Sequence, residues 1–164
     1  MGINMKKQLV GLAQKVELDF VLVAMPYTLI DQESLHTGMK ACQDRNIGVI
    51  IGAPFASGIL ATGSAGAAHY NYSTADAIVI EKVRQIEAVC GAHGVSLQAA
   101  ALQFPLAHPV ATAIIPGAAK PEEMTANIAS LDVQIPSQFW NDLKSEGLID
   151  LEAPIPGDTL GSST

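Results

Sequence analysis

The chain has 164 residues, with nine Lys and Arg against 16 Asp and Glu and a net charge of −7. That acidic balance leaves no basic surface to neutralise phosphates, which excludes nucleic acid as a partner and argues against anionic membrane surfaces. With 49% hydrophobic and 15% charged residues, the composition is that of one compact domain rather than a disordered segment.

Residues 5–16 are the first periodic segment: Leu9, Leu12, Ala13 and Val16 recur at helical spacing and define one apolar stripe. Asp19 then precedes Phe20, Val21, Leu22, Val23 and Ala24, an unbroken apolar run that predicts a strand buried on both faces and stopped by Pro26. Leu35, Met39 and Cys42 mark a helix over residues 32–44. The β-branched run 47–51 predicts a second strand, ended by Gly52 and Pro54. Residues 55–72 are rich in Gly, Ala and Ser, which predicts a long loop without a core of its own, open to function.

Ser73 and Thr74 with Asp76 read as a helix N-cap, followed by a helix whose inner face is Val79, Val83, Ile86 and Cys90. Gly94 breaks that helix, and Ser96 caps another over residues 97–104. The run 110–115 predicts a third strand, closed by Pro116 and Gly117. Pro121 opens a further helix with Glu122 and Glu123 in its first turn, where carboxylates suit the positive end of the helix dipole. Pro136 and Ser137 start the last helix, packed through Phe139, Trp140 and Leu143 and stopped by Gly147. Beyond it, Gly and Pro occur without an apolar period, so residues 1–152 are expected to fold and 153–164 to be a flexible tail.

Residues 88–119 carry no Asp, Glu, Lys or Arg, yet Gly91, Gly94, Pro105, Pro109, Gln98 and Gln103 interrupt them, so a buried segment is expected instead of a membrane span. The first ten residues lack the apolar core of a signal peptide, and a cytoplasmic address is expected. Cys42 and Cys90 have no metal-type spacing and are expected as buried thiols. The four histidines stand apart, so no metal site is expected.

Short buried strands alternating with amphipathic helices make an α/β protein with a parallel sheet of right-handed βαβ units. A closed (β/α)8 TIM barrel takes eight strands and about 250 residues. Three strands cannot close one, so the chain is either a small open sheet or a partial barrel.

Residues 48–58, GVIIGAPFASG, and 101–127, ALQFPLAHPVATAIIPGAAKPEEMTAN, each lie at the carboxyl end of a predicted strand. Together they resemble the seventh and eighth strands of the aldo-keto reductases. Residues 27–32, YTLIDQ, together with the stretch from Tyr70 through ALQFPLAHP, are most similar to the branch of aldose (D-threo-aldose and L-fucose) dehydrogenases and pyridoxal 4-dehydrogenase-like members. The resemblance implies a partial (β/α)8 barrel holding the last three strands and the C-terminal half of the family's fold. It implies an NAD(P)-dependent oxidoreductase acting on aldoses or aldehydes. It also implies that the family's catalytic Asp, Tyr, Lys and His fall on strands outside this sequence, so that no catalytic residue transfers and the chain alone is inactive.

By the same resemblance the cofactor-binding positions are Pro54, Phe55, Ala56 and Ser57, whose backbone approaches the pyrophosphate, and Gly117, Ala118, Ala119, Glu123 and Asn127 at the adenosine. Asn127 matches the residue that bonds adenine. Glu123 replaces the Arg of NADP-preferring members, and Gly117 and Ala118 replace their Lys and Ser, which favours NAD, bound weakly by the isolated chain. Gly52 stands where some relatives set an aromatic ring against the nicotinamide. The expected partners are a second copy of the chain or a complementary N-terminal half, with an aldose as substrate only once the barrel is complete. The alternatives are a noncatalytic self-associating remnant and a subunit that docks on a full-length barrel.

Overall fold

The computed structural model describes residues 2–3, 6–65, 69–70 and 73–157. It runs β1 (Gly2–Ile3), α1 (Lys6–Lys15), β2 (Phe20–Ala24), a π-helical turn (Leu35–Met39), α2 (Lys40–Asp44) and β3 (Gly48–Gly52). A 3₁₀ turn (Ala56–Gly58), α3 (Ile59–Thr62), β4 (His69–Tyr70) and β5 (Ser73–Thr74) follow. The chain continues through α4 (Ala77–His93), α5 (Leu97–Leu106), β6 (Ala111–Ile115), α6 (Pro121–Leu131) and α7 (Ser137–Ser145).

The main sheet is parallel throughout, in the order β1-β2-β3-β6, with Phe20 to Ala24 registered residue for residue on Gly48 to Gly52. One strand exceeds the three expected, because β1 has two residues and leaves no pattern to read. The cap of α4 is Asp76, its carboxylate accepting from the Val79 N–H at 2.9 Å, while the backbone of Ser73 and Thr74 pairs antiparallel with that of His69 and Tyr70. Ser96 caps α5 by accepting from Ala99 N–H at 3.1 Å, and Gly94 ends α4 in the left-handed region at φ 65°.

Side chains alternate across a strand. Val21, Val23, Val49 and Ile51 are fully buried under the helices, whereas Phe20 is 54% and Ile115 50% exposed. Burial on both faces is therefore corrected to burial on one. The other face has no covering layer among the described residues.

Three further expectations change. The predicted helix over 32–44 begins with the π-helical turn, and Gly38 lies so close to α1 that a Cβ there would stand 2.8 Å from Leu9 Cδ2. The loop after β3 does contribute to the core, since Ile59 and Leu60 in α3 are fully buried. Ala153 and Ile155 are buried as well, so the tail does not come free at residue 153. That segment is held by His36, whose Nε2 lies 3.1 Å from Asp150 Oδ2 and whose Nδ1 lies 3.5 Å from Glu152 Oε2. The remainder of the expected tail, 158–164, lies outside the described residues. Cys42 and Cys90 are buried free thiols, and burial pushes the pKa of each up to about 11.

An aromatic stack joins the helices behind the sheet. Tyr27 stacks on Phe104 at 4.9 Å, Phe104 faces Trp140 at 6.2 Å, and Trp140 meets the edge of Phe139 at 4.8 Å. His108 closes the other end, 5.3 Å from Tyr27, with Nδ1 accepting from Val110 N–H at 3.3 Å. Its burial lowers the imidazole pKa from 6.5 to about 4.

Between those two values the unfolded chain takes up a proton that the folded chain refuses. His108 therefore leaves stability intact above about pH 6.5 and removes about 3 kcal/mol as the pH falls toward 4. Asp142 and Asp150, both held below the usual carboxylate range by their hydrogen bonds, extend the loss at still lower pH. Urea midpoints measured from neutral pH down to the acid side of His108's transition should show this decline. It should flatten in His108→Gln, and an equal decline in that variant would assign it to other groups.

Candidate functional site

The backbone is strained where β2 and β3 end. Met25 and Ala53, each one residue past its strand, have φ of 48° and 51°. They extend the ladder by one bond, Met25 N–H to Gly52 O at 2.9 Å and Ala53 N–H to Ile115 O at 3.2 Å, before the chain turns away. Ala56, Ser57 and Gly58 follow at φ 50°, 61° and 102°. For an L-residue this region costs roughly 1–2 kcal/mol, and such strain gathers at functional sites. The turn is closed by Ala56 N–H on Ala53 O and by Gly58 and Leu60 N–H on Phe55 O, all within 3.1 Å, and buried Ile59 and Leu60 anchor it.

Beside this turn runs a groove of about 310 Å³ between the loop after β3, α5 and α6. Phe55, Gly117, Glu123 and Asn127, all expected from the sequence, line it together with Ala61, Thr62, Gln98 and Ala126. Asn127 is buried and donates its amide toward Gly117 O at 3.5 Å. Glu123 is exposed, and its Oε2 accepts from Ala119 N–H at 2.7 Å, which shapes the loop after β6. Gln98 donates to Ala61 O at 3.1 Å and ties α5 to α3.

The remaining expected positions lie around the groove. Pro54 and Ala56 are buried beneath the turn, Ala118 and Ala119 are exposed, and the half-buried Ser57 directs its hydroxyl at Met25 Sδ, 3.6 Å away. Gln98 was missed by sequence reasoning. Its one signal was a polar side chain in the first turn of the Ala-rich segment LQAAAL. Gly52 is buried, and a Cβ there would meet Val23 O at 3.5 Å.

Neither described tyrosine side chain reaches the groove. Tyr27 lies in the aromatic core, where burial drives its phenol pKa well above the ordinary 10. Tyr70 donates to Asp31 Oδ2 at 3.1 Å. Tyr72 lies outside the described residues. Lys82 donates to Ile30 O at 3.0 Å, and desolvation lowers its pKa.

The sequence profile of the Aldo/keto reductase family matches residues 5–146. The chain belongs to the aldo/keto reductase family. Within that family, pyridoxal 4-dehydrogenase of Microbacterium luteolum is 34% identical over 149 residues, which cover 91% of this chain and 44% of that protein. D-threo-aldose 1-dehydrogenase of Pseudomonas sp is 30% identical over 137 residues, covering 83% and 42%. The chain thus spans less than half the length of these relatives. Aldo-keto reductase AKR11C1 from Bacillus halodurans, in its holo form, shares the fold with a TM-score of 0.67 at 16% identity, over 96% of this chain and 51% of that one. The family implied by residues 48–58 and 101–127 is the one found, and the branch implied by residues 27–32 with the stretch from Tyr70 through ALQFPLAHP is that of these two relatives. The strained turns and the groove lie at the carboxyl ends of the strands, the face on which (β/α)8 barrels carry their active sites. No helix among the described residues is long and apolar enough to cross a membrane.

Proposed function

We infer that the chain is the coenzyme-holding part of an NAD(P)-dependent aldo-keto reductase of the aldose dehydrogenase type, with NAD preferred and the catalytic tetrad outside these residues. One observation carries the reading: Glu123 and Asn127, four residues apart on α6, open onto the same groove as Phe55 and Gly117. Asn127 is the residue that would bond adenine. Glu123 commits one oxygen to Ala119 and keeps the other for a ribose hydroxyl. A carboxylate accepts from a 2′-OH and repels a 2′-phosphate, hence the preference for NAD.

The small residues Ala61, Ala126 and Gly117 let a ring lie against backbone, which fits a flat adenosine. When bound, NAD supplies the hydride acceptor for a sugar hemiacetal carbon. The residues of this chain bind and orient it, while proton transfer needs groups outside these residues. The alternative, a noncatalytic remnant or docking subunit, draws its support from the open sheet face and edges.

Calorimetric titration should detect weak binding of NAD(H) and at least about 10-fold weaker binding of NADP(H). Asn127→Ala should lower NAD(H) affinity by roughly 10-fold, the value of one hydrogen bond, and Glu123→Arg should raise NADP(H) affinity by a similar factor. Tighter NADP(H) binding by the unaltered chain, or an unchanged affinity in Asn127→Ala, contradicts the reading.

A further inference from the structure

We propose, resting on the coenzyme reading for the identity of the ligand, that Glu87 is a positioning residue for coenzyme binding. It does not itself line the groove. It acts by holding α3, one wall of the groove, in place before the coenzyme arrives.

α3 has only four residues, Ile59–Thr62. One turn fixes several backbone angles for very few hydrogen bonds, so a helix of this length does not persist on its own. Yet Ala61 and Thr62 are groove residues. The buried side chains of Ile59 and Leu60 fix the inner side of α3, and Gln98 binds the Ala61 carbonyl. The chain just beyond α3 is fixed by Glu87. Half-buried on α4, Glu87 accepts from the Ser64 N–H at 3.1 Å with Oε1 and from the Ser64 hydroxyl at 2.5 Å with Oε2. Among the described residues no ion pair uses Glu87. Both carboxylate oxygens thus serve the loop, and a charged acceptor makes such bonds stronger than a neutral one would.

Gly63 carries the same clasp in its backbone. It is buried, with φ 79° and ψ −179°, a conformation open in practice only to glycine. A Cβ at this position would run into Glu87 Oε1. The Gly63 N–H closes α3 on Ile59 O at 2.9 Å. Backbone of this kind persists only where its surroundings hold it, and Glu87 is the group that does so. At its other end α3 is entered through Ser57 and Gly58, with φ of 61° and 102°. The wall is therefore gripped from both sides, by the strained turn after β3 and by α4. Without the clasp, binding must order the wall as well as the ligand, which lowers affinity.

Calorimetry should show NAD(H) bound about 10-fold more weakly by Glu87→Ala than by the unaltered chain. Glu87→Gln keeps an oxygen acceptor and should recover most of the loss. Glu81→Ala removes the same charge from the exposed side of α4, where it pairs with Arg84, and should leave the affinity unchanged. Hydrogen exchange without coenzyme should quicken several-fold at the Gly63 and Ser64 amides of Glu87→Ala and stay as it was in the interior of α4. An unchanged NAD(H) affinity in Glu87→Ala overturns the proposal and leaves the coenzyme reading standing. So does exchange that quickens throughout the chain, because Glu87 would then support the fold at large. An equal loss in Glu81→Ala, or no recovery in Glu87→Gln, overturns it too, by assigning the effect to charge. An unaltered chain that binds no NAD(H) sinks the coenzyme reading and the role of Glu87 together.

Discussion

Incubated with NAD and an aldose, the purified chain is expected to form no NADH above the uncatalysed rate. Hydride transfer from a sugar hemiacetal needs a group that removes the hydroxyl proton, and general acid–base groups contribute about 10² to 10⁴ in rate. Of the described tyrosines, Tyr27 is sealed in the aromatic core and Tyr70 is hydrogen-bonded to Asp31, away from the groove. Lys82 is bonded to Ile30 O and does not line the groove. Positioning of the sugar over the coenzyme is lost as well, at a further cost in rate. Steady NADH formation from L-fucose or another aldose that persists through purification and disappears in Tyr70→Phe would identify Tyr70 as the proton acceptor and refute the expectation.

Trp140→Ala and Phe104→Ala are each expected to cost about 3–5 kcal/mol, against a total of about 5–15 for a domain. Both side chains are fully buried, and together with Tyr27 and Phe139 they join α5 and α7 behind the sheet. Truncation leaves a cavity between elements that cannot slide together without breaking the stack. Among the described residues, the buried indole N–H of Trp140 has no hydrogen-bond partner, nor do the Tyr27 and Thr28 hydroxyls. Trp140→Phe removes that unpartnered donor and should therefore cost much less than Trp140→Ala. Urea unfolding followed by circular dichroism measures each variant. A cost below about 1 kcal/mol for Trp140→Ala would show that the stack is not what joins these helices.

Much of the fold follows from interactions within a few residues, and those were legible in the sequence. The apolar runs at Phe20 to Ala24 and Ala111 to Ile115 became β2 and β6. The caps Asp76, Ser96 and Gly94 lie at the ends of α4 and α5, because a side-chain oxygen three residues before an N–H, or a glycine able to turn left-handed, acts on its own neighbourhood. Ser73 and Thr74 misled because the same residue types that cap helices also form short hairpins, and the choice depends on His69 and Tyr70.

The groove shows the same division. Residues 117–127 were readable as a unit, since Glu123 and Asn127 share a helix face four residues apart. Gln98 was not, since it enters the groove by bonding Ala61 across 37 positions of chain.

By itself, the sequence determined the strand and helix types, their caps, the family, and which residues border the loops after β3 and β6, because each is a matter of local periodicity or motif. The tertiary structure alone decided that β1 joins the sheet, that Ala153 and Ile155 are buried, and that the apolar stripe of α6 faces outward around a buried Asn127. These depend on surfaces distant in the chain, as when His36 meets Asp150 across 114 positions. A periodic pattern tells which side chains share a face. Which neighbour covers that face is decided only when the elements pack.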